Sequence, residues 1–240
     1  MILSSGVRHS YKQVLALGDI SLSLESDRVA LLGPNGAGKS TFLKLITTIL
    51  PLQSGHLEVD GISLNDARGR SAARGRFGYV PQRMDLPGAY TVEEFLAYAG
   101  WMHRCSDLEP AVTRALEMVD LADRRSSRIK TLSGGMRQRV CIAQALVHAP
   151  SVVVVDEPTV GLDPQQRSRL RTYLAELDCQ LLLATHMVDD VAGLAEEVVV
   201  LDHGRVAFHG PIAELCDGGP VTAESVERGY LRYVDPSEDA

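Results

Sequence analysis

Gly33-Pro34-Asn35-Gly36-Ala37-Gly38-Lys39-Ser40, followed by Thr41, satisfies the pattern G-x-x-x-x-G-K-[ST] at every fixed position. The chemistry open to such a stretch is the holding of phosphate. Small residues let the backbone approach closely and take positive φ, so that several N–H groups converge on one anion. Lys39 then reaches the β- and γ-phosphates, and the Ser40 hydroxyl ligates Mg²⁺. A triphosphate site also needs a second Mg²⁺ contact and a group that orients the attacking water. Val152-Val153-Val154-Val155 runs directly into Asp156-Glu157-Pro158. Asp156 is the natural carboxylate to link to Mg²⁺, and Glu157, pointing differently, a general base toward water. The plainer readings are an ordinary glycine-rich turn and a pair of surface acids. The flanking residues weigh against both.

Those flanks are the elements that must place the chemistry. Arg28-Val29-Ala30-Leu31-Leu32 reads as a buried strand, and Thr41 to Ile46 has helical spacing with Leu43 and Ile46 on one face. Strand, glycine loop and helix in that order aim a helix N-terminus at the anion. The all-valine run predicts a central strand of a parallel sheet, buried on both faces, with its carboxylates where such sheets place ligands. Upstream, Ile20-Ser21-Leu22-Ser23-Leu24 alternates and predicts a half-buried antiparallel strand. Tyr11 before it is either a sheet-edge tyrosine or an aromatic that stacks on a purine. Leu57 to Gly61 and Phe77 to Val80 are further strands, and the arginine-bearing stretch from Asn65 to Arg76 a solvated helix or loop.

From Thr91 the texture becomes helical. Thr91 and Glu94 have the spacing of a capping box; Val92, Phe95, Leu96 and Ala99 form one apolar face. Ala111 to Val119 is a second helix, and no strand pattern interrupts the region to about Arg128. Trp101, Met102 and Phe95 read either as core or as a surface that docks a partner helix. A helix follows Leu132-Ser133-Gly134-Gly135-Met136 through about His148. After Asp156 come a helix from about Pro164, strand Leu181 to Ala184, a helix near Val188 to Leu194, strand Glu197 to Leu201, a hairpin at Asp202-His203-Gly204-Arg205 and two short helical stretches.

The bulk numbers are those of a soluble globular chain. It has 240 residues, 45% apolar and 23% charged. The net charge of −7 argues against a bulk nucleic-acid surface, and no nucleic-acid partner is expected. No stretch approaches the ~18 consecutive apolar residues of a membrane span, and no signal peptide is visible. Cys105, Cys141, Cys179 and Cys216 form no C-x-x-C pair, so free thiols and a cytoplasmic location are the expectation. With Asn35 and Asn65 the only asparagines, no Asn-Lys-x-Asp stretch exists to read guanine. A small-molecule kinase would explain the phosphate loop but not the segment Leu132-Ser133-Gly134-Gly135-Met136.

That segment, with Arg137-Gln138-Arg139, resembles the signature motif of ABC-family ATPases. The other motifs follow in the family's order. Gln82 after a strand resembles the Q-loop, Asp156-Glu157-Pro158 the end of the B-motif strand, Gly161-Leu162-Asp163-Pro164 the D-loop and His186 the H-loop. The resemblance covers about residues 1–215. Met136 stands where the family most often has Gln, and Ser26-Asp27 where a Pro-Gly turn commonly precedes the phosphate-loop strand.

The resemblance implies an α/β P-loop NTPase core with a mostly parallel central sheet, an N-terminal antiparallel β region and an inserted α-helical sub-domain. The boundaries expected are 1–215 for the ATPase domain, with helices inserted at about 88–150, and 216–240 for a short helical tail. It implies ATP and Mg²⁺ as cofactors, with Gly33, Asn35, Gly36, Gly38, Lys39, Ser40 and Thr41 around the phosphates. Tyr11 would stack on the base; Ser40, Gln82 and Asp156 would serve the metal; Glu157, His186 and Gln82 would serve hydrolysis. Ser133, Gly134 and Gly135 would be presented to the γ-phosphate held by a second subunit, with Asp163 communicating across the interface. One copy of each motif implies a head-to-tail dimer of two such chains, expected to be identical. A separate integral membrane permease would be the partner, docking around Asp85 to His103, and the chain would sit on the inner face of the membrane. Exporter-type bacterial subunits for drug, antibiotic or lipid-like substrates are the nearest match. The alternative is a soluble ABC ATPase acting as a mechanical switch.

Overall fold

The computed structural model describes residues 1–83 and 85–234. Met84 and the end of the expected tail, residues 235–240, lie outside the described residues. The chain divides into two compact units, one formed by Met1–Arg74 with Gln180–Ala240 and the other by Gly75–Cys179.

The first unit opens with two long strands, β1 (Ile2–Tyr11) and β2 (Val14–Leu24), paired antiparallel from Ile2↔Leu24 to Tyr11↔Val14 around the two-residue turn Lys12-Gln13. β4 (Ser54–Val59) and β5 (Ile62–Ser63) complete an antiparallel sheet in the order β2-β1-β4-β5. Alternation at Ile20, Leu22 and Leu24 buries one face, as the sequence predicts. The unit's second sheet region runs β10-β9-β3-β8, from β3 (Arg28–Leu32), β8 (Gln180–Thr185), β9 (Glu197–Asp202) and β10 (Arg205–Pro211). β8 and β9 flank β3 in parallel, and β10 returns antiparallel through a hairpin whose two turn residues, His203 and Gly204, both have positive φ. Two such residues suit the right-handed twist of a tight hairpin.

Helix α1 (Lys39–Ile46) buries Phe42, Leu43 and Ile46 and packs against β2 and β8. A second apolar cluster joins Ala30, Leu32, Val198 and Val200 to Val191 of α7 (Val188–Leu194), Leu215 of α8 (Ile212–Leu215) and Val226 of α9 (Ala223–Tyr230). The arginine-bearing stretch forms α2 (Ala67–Ala73) and a 3₁₀ turn, with Arg68 and Arg76 exposed.

The second unit holds the parallel pair β6 (Phe77–Val80) and β7 (Val152–Asp156), every residue of β7 being buried. Helices α3 (Val92–Met102), α4 (Leu108–Met118) and α5 (Gly134–Leu146) pack on one another, and α6 (Pro164–Ala175) follows β7. The expected capping box forms at the start of α3. The Glu94 N–H donates to Thr91 Oγ1 at 3.2 Å and the Thr91 N–H donates to Glu94 Oε2 at 2.8 Å. Val92, Leu96 and Ala99 are buried, but Trp101 and Met102 are 64% and 59% exposed, which settles them as surface rather than core. Helical geometry gives the reason: Trp101 lies nine residues, or about 180°, around the helix from Val92. No disulfide joins the four cysteines among the described residues, and burial pushes the Cys141 thiol up to about 12.

Candidate functional site

Each unit carries a set of the expected site residues at the C-terminal ends of paired parallel strands. In the first unit, β3 and β8 are in register at Leu32↔Thr185. Gly33 and His186, the next residue of each chain segment, therefore leave the sheet side by side. Gly36 and Gly38 hold φ of +86° and +102°, conformations open to glycine at little cost. Gly33 is needed for space: a Cβ there would lie 2.2 Å from the Leu201 carbonyl oxygen. Lys39, buried at the start of α1, donates from Nζ to the carbonyls of Gly33 at 2.6 Å and Pro34 at 3.1 Å. Its ammonium is thus folded over the loop itself. Ser40 and Thr41 follow in the first turn of α1, the end of a helix that favours an anion.

The loop is held from behind by Gly204, which local sequence reading marks only as part of a hairpin turn. Gly204, in the β9–β10 turn, donates its N–H to the Ala37 carbonyl at 3.1 Å and accepts from the Gly18 N–H at 2.8 Å. A Cβ on Gly204 would meet the Ala16 carbonyl oxygen at 2.6 Å, and one on Gly38 the same atom at 2.7 Å. Three segments far apart in sequence thus close on one another through glycine. Tyr11 ends β1 at the Lys12-Gln13 turn, 45% exposed, its ring edge-on to His9 at 4.9 Å between centroids. Burial holds the His9 imidazole below its usual range.

In the second unit, β6 and β7 are in register at Val80↔Val155, so Pro81-Gln82 and Asp156 emerge together. Gln82 is exposed; Asp156 and Glu157 are only 2% and 5% exposed, so they are not ordinary surface acids. The Tyr79 phenol hydrogen-bonds to the Asp156 carboxylate, and burial together with that negative charge keeps the phenol protonated well above its usual range. Tyr79 is therefore a partner of the metal-type carboxylate that strand patterning alone does not disclose. Glu157 has φ +49°, a left-handed conformation costing about 1–3 kcal/mol for such a residue.

The signature stretch sits at the opposite kind of position, at a helix start. Ser133 N-caps α5, its Oγ accepting from the Met136 N–H at 3.3 Å. That leaves the hydroxyl hydrogen available to an external acceptor. Ser133 and Gly134 are exposed, and nothing lies within 4 Å of where a Gly134 Cβ would be. Asp163 N-caps α6 in the same way, Oδ1 accepting from the Gln166 N–H at 2.8 Å, with Pro164 in the first turn. Gly135 approaches Gln166 closely, a Cβ there falling 3.2 Å from its Cδ.

Magnesium with a nucleotide needs only one or two protein oxygens beside phosphate and water. The donor types fit: a hydroxyl at Ser40, and at Asp156 a buried carboxylate already oriented by Tyr79. Among the described residues no group of three or more His, Cys, Asp or Glu side chains forms an all-protein metal cage.

A phosphate-type glycine loop between strand and helix, together with acids at the end of a buried parallel strand, defines a P-loop nucleotide-binding cassette. The comparisons with known proteins make the family specific. The ABC transporter family profile matches residues 17–160, and the chain belongs to that family. It is 32% identical to the linearmycin resistance ATP-binding protein of Bacillus subtilis (strain 168), over 96% of this chain and 78% of that protein. To the Nod factor export ATP-binding protein I of Rhizobium sp. (strain N33) it is 33% identical, over 97% and 82%. Among solved structures it is similar to an ATP-binding subunit of an ABC transporter, with TM-score 0.84 and 28% identity over 97% of this chain and 99% of that one. It is also similar to the cassette MJ0796, whose post-hydrolysis dimer bound to ADP and Pi gives TM-score 0.79 and 25% identity over 88% and 99%. The protein is an ATP-binding subunit of an ABC transporter and an ATPase of that family.

Proposed function

We propose that two copies of this chain bind two ATP molecules in a head-to-tail pair and drive export through a separate membrane permease. In each copy Gly33, Asn35, Gly36, Gly38, Lys39, Ser40 and Thr41 cradle the phosphates, while Tyr11 stacks on the base. Ser40, Asp156 and Gln82 would hold Mg²⁺, which supplies charge neutralisation on the phosphates when bound. Glu157 takes the proton from the attacking water, and His186 contacts the γ-phosphate. Ser133, Gly134 and Gly135 are donated to the nucleotide of the other copy, and Asp163 lies at the junction between copies.

The observation that carries this reading is the exposure of Ser133 and Gly134 at the N-terminus of α5. An anion-seeking helix start displayed outward calls for phosphate from outside the chain. The dimeric state of MJ0796 and the export and resistance functions in the relatives' names support the same reading. For the permease, the supporting feature is the apolar surface of Tyr90, Tyr98, Trp101 and Met102 on and before α3, with the Tyr98 and Trp101 rings 6.1 Å apart. Among the described residues no helix is long and apolar enough to cross a membrane, so the proposal places the transmembrane path in a partner and this chain peripherally on the inner face.

The test is purification of Glu157→Gln from membranes in the presence of ATP. A stoichiometric multi-span protein that is lost on Trp101→Asp or Tyr90→Asp supports the transporter subunit. Recovery only in the soluble fraction, with an assembly partner or nucleic acid, would replace it with a soluble mechanical switch.

A further inference from the structure

Helix α5 grips two different things. Its N-terminus is capped by Ser133, and its second turn buries Gln138, 4% exposed, whose Nε2 donates to the Pro158 carbonyl. Pro158 follows Glu157 directly, and Glu157 holds φ +49°. A left-handed conformation persists only where its surroundings over-determine it. Pro158 has no N–H, so its carbonyl is the main-chain handle this residue offers to a hydrogen-bonding partner. A buried glutamine is costly unless its amide is satisfied, and an apolar side chain of the same length would fill the space. The amide is therefore there for the bond. Near the same end of α5, Gly135 rests against Gln166, which donates its N–H to the Asp163 cap. One rigid helix thus connects the signature serine, the main chain after Glu157 and the start of α6.

We infer that Gln138 is a positioning residue that couples the two hydrolytic sites of the dimer; this rests on the head-to-tail reading above. In that arrangement Ser133 and Glu157 of one chain serve different nucleotides. Ser133 contacts the partner copy's γ-phosphate, whereas Glu157 acts at its own chain's site. A shift of α5 on engagement of Ser133 is passed by Gln138 to the Pro158 carbonyl and sets the orientation of the neighbouring Glu157 carboxylate. Gln138 touches neither nucleotide.

The experiment is steady-state hydrolysis against ATP concentration for Gln138→Met, which keeps the length and removes the donor. The expected result is a fall in kcat of about 10- to 100-fold with KM unchanged. The Hill coefficient falls toward 1, and the ATP-dependent dimer still forms in the Glu157→Gln background. Wild-type kcat and cooperativity in folded Gln138→Met protein would overturn the inference. If that variant fails to fold, Gln138→Glu decides. Its carboxyl can donate to the Pro158 carbonyl only when protonated, so its kcat relative to wild type rises as pH falls. A pH-independent ratio would overturn the coupling. Glu157→Gln alone failing to form an ATP-dependent dimer would instead overturn the head-to-tail reading on which this depends.

Discussion

The two units reach comparable placements of chemistry by different physical means. In the unit containing the phosphate loop, position is set by backbone meeting backbone: Gly33 against the Leu201 carbonyl, Gly38 and Gly204 against the Ala16 carbonyl. In the unit containing Asp156 and Glu157, Gly78 also packs against a backbone carbonyl, that of Ala145, but the site acids are held by side chains that reach across elements. Tyr79 holds Asp156, and Gln138 holds Pro158. Arg125 ties Glu93 at 2.7 Å and Glu109 at 2.5 Å, and His148 Nε2 donates to the Phe77 carbonyl at 2.9 Å. Steric closeness fixes a loop that must fit one anion shape. Side-chain bonds permit small adjustments of the helices they tie together.

The contrast is broken most sharply at the glycines. Gly33→Ala forces the loop away from Leu201 and is expected to weaken ATP binding by at least about 100-fold, measured by nucleotide titration. Gly36→Ala meets no protein atom within 4 Å but strains the backbone at φ +86° by about 1–3 kcal/mol, so it is expected to lower stability in denaturant titration and to weaken ATP binding less than Gly33→Ala does. Equal effects at the two positions would remove the distinction between space and conformation.

The second unit's network is sensitive to acid. His148 stacks on His103 at 3.7 Å, and burial, reinforced by the neighbouring imidazole, pushes its pKa down to about 4; burial also lowers that of His103. Below about pH 6.5 the unfolded chain binds protons that the folded chain resists, so stability is full above that pH and declines toward pH 4. Thermal melts at pH 7.5 and 5.5 are expected to differ by about 2–4 °C more in wild type than in His148→Asn. A smaller effect is expected at Thr91→Ala, which removes half of the capping box and costs about 1 kcal/mol by denaturant titration, with ATP affinity unchanged.

What could be read from the sequence follows the same division. The phosphate loop, the all-valine strand, the Thr91 capping box and the alternating β2 are local patterns, and local spacing discloses them. Parallel registers at Leu32↔Thr185 and Val80↔Val155 turn those patterns into neighbouring strand ends. Gly204 behind the phosphate loop, Tyr79 on Asp156 and Gln138 on Pro158 are pairings across long sequence distances, and no periodicity encodes them. The left-handed backbone at Glu157 was likewise invisible, since glutamate carries no local preference for it. Trp101 was legible in principle. Its position opposite Val92 on α3 places it outward, although its size and apolarity also fit a core.

The central claim is that one chain supplies two half-sites that complete each other only between copies. Lys39→Ala and Ser133→Arg each disable one half, so neither variant alone should hydrolyse ATP. Mixed together, they form some dimers in which an intact Lys39 side faces an intact Ser133 side. The account predicts that hydrolysis reappears on mixing and rises with the fraction of mixed dimer, at a rate per intact site lowered about 10- to 100-fold, as in Gln138→Met, because the chain that supplies Lys39 and Glu157 there has lost its own Ser133. A mixture that forms mixed dimers yet binds and hydrolyses no ATP would contradict it.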